Sequence, residues 1–113
     1  MPARNTLMLA PPFPVEIALR DLGANLRLAR LRRNLTAEEV AQRIGAGRRA
    51  VSDAEHGKTT TSMATYAALL WAYGLLDDLG RLADPARDEE GLALERSSGR
   101  ARARRSEALD SDF

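Results

Sequence analysis

Residues 35–58 read LTAEEVAQRIGAGRRAVSDAEHGK, and this stretch decides the fold. Thr36 and Glu39 have the spacing of a capping box, in which the threonine oxygen takes an orphan N–H of the first helical turn and the glutamate returns to the threonine N–H. Val40, Ile44 and Val51 supply an apolar seam. Gly45 ends the first helix, because glycine adopts the left-handed turn at the least cost. Gly47 then precedes Arg48-Arg49-Ala50-Val51-Ser52-Asp53. A second helix starting there presents its first turn, with two adjacent arginines, to the outside. That shape suits insertion into a DNA major groove.

Upstream, residues 15–34 predict a long helix, since Leu19, Leu22, Leu26 and Ala29 recur at helical spacing. Arg27, Arg30, Arg32 and Arg33 fill much of its other sides, Gly23 weakens it modestly, and Asn34 can end it. Residues 1–14 read as an arm. Leu7-Met8-Leu9 suits a short strand, Pro11-Pro12-Phe13-Pro14 stiffens the approach, and Pro14 fits the first turn of the long helix.

Downstream, residues 57–61 predict a polar loop. Ser62 is a good cap for a fourth helix with Met63, Tyr66, Leu69, Leu70 and Tyr73 facing inward, and Gly74 stops it. Residues 75–82 predict a short fifth helix with Leu76, Leu79 and Leu82 on one face. Asp84-Pro85 marks a break, residues 84–96 a short helical extension, and residues 97–113 a disordered tail, because SSGRARARRSEALDSDF has almost no large apolar residue to offset the entropy of ordering it.

The 113 residues amount to one domain plus tails. The chain has no cysteine, which removes disulfides, thiolate metal sites and cysteine nucleophiles. The apolar stretch at 7–10 is too short for a signal peptide, and the run at 67–76 is too short to span a bilayer. A cytoplasmic protein with no membrane partner is expected. Net charge is only +1, yet it is unevenly placed. Residues 1–35 hold six arginines against Glu16 and Asp21, residues 36–58 balance four basic against four acidic groups, and residues 59–113 hold seven arginines against ten acids. This asymmetry suggests a basic DNA face and a second, acidic surface for another partner.

The spacing resembles the helix-turn-helix of the Cro/repressor (XRE-type) family. The resemblance begins near Leu22, with LGANLRLARLRRNLT, and runs to about Leu82. It implies an all-α, five-helix lambda-repressor-like domain over residues 15–83, flanked by the arm and the tail. In the family pattern a helix-one arginine pairs with a glutamate closing the recognition helix, and Arg30 and Glu55 fall on those positions. The base-reading positions fall on Arg48 and Arg49, with Ser52 beside them and Asp53 one turn on. Two departures stand out. Ala37 replaces the glutamine usual after the first cap, and Gly47 replaces the usual Ser or Thr cap of the recognition helix; both weaken expected DNA affinity. Residues 63–91, MATYAALLWAYGLLDDLGRLADPARDEEG, resemble HipB-like antitoxins, which are encoded beside HipA-like serine/threonine kinase toxins. That resemblance implies a homodimer that represses its own operon and binds such a kinase.

These readings assign roles. Arginine at the start of a recognition helix can grip guanine O6 and N7 together, worth about 1–3 kcal/mol of discrimination. Ser52 suits a phosphate or a base, and Asp53 can either accept from cytosine or repel phosphate. Arg33, Thr36, Arg43, Lys58, Thr59, Thr60 and Ser62 are candidate contacts to the DNA backbone, each equally readable as plain surface. Trp71, Leu76, Leu79 and Leu82 form a candidate dimer seam. A triad of Ser52, Asp53 and His56 lacks an oxyanion element or cleft, and no phosphate loop or metal-ligand spacing occurs, so neither an enzyme nor a cofactor is expected. A stand-alone regulator of the XRE type, and an adaptor whose helix-turn-helix has weakened, remain alternatives to the antitoxin.

Overall fold

The structure, a computed structural model, describes residues 6–111. Among them it forms seven helices: α1 (Thr6–Leu9), α2 (Phe13–Arg32), α3 (Ala37–Ile44), α4 (Arg48–Glu55), α5 (Met63–Ala72), α6 (Leu76–Gly80) and α7 (Glu89–Ser111). Residues 1–5 of the expected arm and 112–113 of the expected tail lie outside the described residues. The chain divides into two compact units, Met1–Leu79 and Gly80–Phe113, each described by itself.

The first unit is built around side chains that the helical periodicity brings together. Leu26 of α2, Val40 of α3, Val51 of α4 and Leu69 of α5 are essentially fully buried, and Ala29, Ala41, Ala54, Tyr66 and Tyr73 close the core around them. Small alanines at 29, 41 and 54 let the helices approach one another closely. Leu19, Leu22, Leu35, Ile44, Leu70 and Leu75 pack on its edge. Met63, expected on the inward stripe, is 63% exposed, because it opens the first turn of α5 before that helix reaches the core.

Helix ends follow their sequence signals. Thr36 Oγ1 accepts from the Glu39 N–H at 3.1 Å and the Thr36 N–H donates to Glu39 Oε1 at 3.1 Å, completing the capping box of α3. Gly45 closes α3 in the left-handed conformation. Gly47 precedes α4 in an extended conformation with no side-chain cap. Ser62 Oγ accepts from the Thr65 N–H at the start of α5.

Two expectations are overturned. Residues 7–9, expected as a strand, lie in the single helical turn α1, closed by the Ala10 N–H on the Thr6 carbonyl at 2.8 Å. A lone strand has no partner for its backbone groups, whereas a helical turn satisfies them locally. The boundary drawn at residue 97 between a short extension and a disordered tail is also replaced, since α7 runs unbroken from Glu89 to Ser111. Asp88 Oδ1 accepts from the Gly91 N–H at 2.9 Å at its start, and Glu89 and Glu90 stand at its positive end. Alanine, arginine, leucine and glutamate then carry the helix on local propensity, a contribution that an argument from burial alone leaves out.

Candidate nucleic-acid interface

The second helix of the quoted stretch is anchored on one side and open on the other. Val51 and Ala54 are completely buried, while Arg48 and Arg49 at its start are exposed and Ser52 and Asp53 are half-buried. Among the described residues, neither Arg48 nor Arg49 enters a hydrogen bond or ion pair, so both guanidinium groups keep their donors. No side chain caps the first backbone N–H groups of α4, and the positive end of its dipole adds to the two arginines.

Arg30 and Glu55, expected as a structural pair, meet as a two-pronged ion pair. Arg30 Nε donates to Glu55 Oε2 at 2.7 Å and Nη2 donates to Oε1 at 2.9 Å, while Nη1 donates to the Leu35 carbonyl at 2.9 Å. The side chains are only 12% and 6% exposed. The hydrogen bond to Glu55 holds the Arg30 pKa above its ordinary value despite the opposing effect of burial. The pair therefore locks the last residue of α4 to α2 and to the chain entering α3. The Tyr73 hydroxyl is buried nearby; desolvation raises its pKa, Glu55 adds to the rise, and Arg30 and Arg33 oppose it.

A closer approach accompanies this pair. A Cβ on Gly23, inside α2, would lie 2.5 Å from the Glu55 carbonyl oxygen and 2.6 Å from that of Ala54. The glycine read above as a weak point of the helix is the place where α2 crosses the end of α4. Gly57, just beyond α4, has φ +67° and a Cβ there would meet the Leu19 backbone at 2.6 Å. The sequence signal was present: a glycine among strong helix formers carries a cost that packing has to offset.

The candidate backbone contacts fall into two groups. Arg43 and Thr60 are exposed, and Lys58 is exposed with its ammonium 3.8 Å from Asp53 Oδ2, which partly offsets the negative charge beside the two arginines. The others are engaged within the fold. Arg33 donates to the Ala29 and Tyr73 carbonyls, both at 2.8 Å, and its guanidinium stands 5.5 Å from the Tyr73 ring centre, so it ties the ends of α2 and α5 together. Thr36 and Ser62 serve as caps. Thr59 Oγ1 donates to the Met8 carbonyl at 2.7 Å and holds α1 against the loop after α4, a link that nothing in the sequence signalled. Thr60, Thr61, Ser62 and Thr65 line a shallow concavity of about 220 Å³ with Ala50 and Asp53 of α4.

Of the proposed dimer residues, Trp71, Leu76 and Leu82 are 58%, 40% and 66% exposed and Leu79 is half-buried; Leu82 belongs to the second unit. His56 Nδ1 donates to the Ser52 backbone carbonyl at 2.7 Å, so its ring is turned to the main chain rather than to a serine hydroxyl. No cluster of three or more His, Cys, Asp or Glu suited to a metal occurs among the described residues, and no helix among them is long and apolar enough to cross a membrane.

Two short helices joined by a left-handed glycine, the second held by its inner face and its last residue and open at its first turn, define a helix-turn-helix domain. A family model described as a helix-turn-helix domain matches residues 21–83, more than half of the chain. The chain belongs to this helix-turn-helix family. No curated protein and no solved structure matches it.

Proposed function

We propose that this protein binds double-stranded DNA sequence-specifically through α4 and acts as a transcriptional repressor. The observation that carries the reading is the exposed, unpartnered Arg48-Arg49 pair on the first turn of a helix whose inner face is fixed in the core. Such a helix enters the major groove start first, with the arginines reaching guanine edges. Arg43, Lys58 and Thr60 flank it as contacts to phosphates, which set register without reading sequence.

A homodimer completes the proposal. A single helix reads only a few base pairs, whereas two copies double the site, and the exposed Trp71 and Leu76 offer an apolar seam for pairing. Pairing of the chain with a HipA-like kinase toxin rests on the resemblance of residues 63–91 alone, and a kinase gene beside this one decides between an antitoxin and a stand-alone regulator. The DNA reading is tested by iterative selection from a random duplex pool with the full chain. Enrichment of a palindromic site supports it. Binding that enriches no sequence, or no binding even at low salt, rejects it in favour of an adaptor role.

A further inference from the structure

We propose that the arginine-rich stretch of α7, residues 96–105, is a second DNA-contacting element that grips the phosphate backbone without reading sequence. The inference rests on the DNA-binding reading above and adds to it a site outside the helix-turn-helix.

The charge is concentrated. Between Glu95 and Glu107 the chain reads RSSGRARARRS, with Arg96, Arg100, Arg102, Arg104 and Arg105 and no acidic residue. Residues 96–106 are all exposed. Among the described residues none of these five arginines takes part in an ion pair or hydrogen bond, in contrast to Arg20, Arg30 and Arg33, which all do. The helix places Arg96, Arg100 and Arg104 one turn apart along one side, where like charges repel, so the free helix carries a strain that an anionic partner relieves.

The chemistry of the stretch selects the partner. Its cations are arginines only, whose planar forks match phosphate oxygens two at a time. It contains no large apolar residue, so it lacks the face with which a membrane-surface helix inserts among lipid chains. From residue 96 to 105 the helix rises about 14 Å. A duplex presents about eight phosphates over that length, more than enough for five guanidinium groups. Arg102 and Arg105 lie off the side that Arg96, Arg100 and Arg104 share, and this spread suits diffuse attraction to phosphates better than base reading.

The test is the salt dependence of binding to a mixed-sequence duplex, measured for the full-length chain, for a variant with all five arginines changed to glutamine, and for one with all five changed to lysine. Glutamine and lysine are close to arginine in helix propensity, and far-UV circular dichroism checks that α7 persists. Each neutralised phosphate contributes about 0.9 to the slope of log affinity against log salt, so the glutamine variant should lose up to about 4.5 of that slope. The wild type should therefore weaken by up to about 500-fold more than the glutamine variant between 50 and 200 mM salt. The lysine variant should keep most of the slope. Slopes for the wild type and the glutamine variant that agree within about one contact overturn the proposal. So does transfer of the effect to anionic-lipid vesicles with DNA binding unchanged. A wild type whose slope depends on the five arginines but which enriches no sequence leaves α7 as a DNA element and rejects the base-reading role of α4. A wild type that selects a site with a slope indifferent to them rejects only the inference about α7.

Discussion

Changing Gly23 to alanine separates two accounts of this residue, because they predict opposite signs. Helix propensity alone predicts a gain of about 0.8–1 kcal/mol for alanine in the interior of α2. The structure predicts a loss. The added Cβ would sit 2.5 Å from the Glu55 carbonyl oxygen and 2.8 Å from its carbonyl carbon, and both belong to backbone that cannot swing aside. Relieving that overlap requires α2 to move away from the end of α4, which pulls on the Arg30–Glu55 pair as well. Overpacking of this kind costs about 1–3 kcal/mol, which cancels the propensity gain at its low end and leaves a net loss of up to about 2 kcal/mol. In a domain of this size that corresponds to a melting temperature lower by up to roughly 15 °C. Chemical denaturation with urea, followed by circular dichroism, gives the sign directly. Ala24, the next residue and exposed, provides the control: Ala24→Gly should lose about 0.5–1 kcal/mol by propensity alone. A Gly23→Ala protein that is more stable than wild type would refute the close crossing of α2 and α4.

Three further perturbations follow from the same geometry. Glu55→Ala leaves the Arg30 guanidinium partly buried without its countercharge and should cost about 3–5 kcal/mol, while the double change Arg30→Met with Glu55→Leu should recover much of that loss in a urea titration; a double variant as unstable as the sum of the singles contradicts this. Hydrogen bonds from Thr36, first its backbone N–H and then its side chain, hold the Glu39 pKa below its ordinary 4.5. The folded state therefore binds that proton less readily than the unfolded chain, so the stabilisation is complete above the ordinary carboxylate range and fades as the pH falls through the lowered value. Glu39→Gln should accordingly differ from wild type near neutral pH and converge with it in acid, and a difference that does not vary with pH counts against the capping box. Trp71→Ser should weaken self-association in sedimentation without lowering the melting temperature much, since the ring is already 58% exposed; a wild type that is monomeric at micromolar concentration removes the dimer.

The helix-turn-helix was legible because its signals are local. The capping box at Thr36 and Glu39, the left-handed Gly45, and the apolar positions 40, 44 and 51 each depend on residues a few positions apart, and so does the exposure of Arg48 and Arg49 once Val51 and Ala54 face the core. The Arg30–Glu55 pair spans 25 positions and was reached only through the resemblance to a family, not through spacing. What stayed hidden depends on contacts between distant segments. Nothing near Gly23 states that the end of α4 crosses it, and nothing near Arg33 states that the Tyr73 carbonyl lies 2.8 Å away. Arg33 therefore reads from sequence only as a candidate DNA contact, while the structure also bonds two of its N–H groups to helix-end carbonyls. The C-terminal segment failed for a different reason. Its poverty in apolar residues argues against a packed core, but it does not argue against a helix whose own residues favour that state.

In the proposed function Arg48 and Arg49 read bases while the flanking cations only position the protein. Fluorescence titrations of the wild type, Arg48→Ala, Arg49→Ala and Arg43→Ala against a selected site and a scrambled duplex, at one fixed salt concentration, measure it most directly. Each of the first two substitutions should lower the ratio of specific to scrambled affinity by about 5–150-fold, the equivalent of one lost two-pronged contact to guanine. Arg43→Ala should weaken both duplexes alike and leave the ratio unchanged. Equal losses on both duplexes for all three variants would contradict the base-reading assignment and leave α4 as one more phosphate contact.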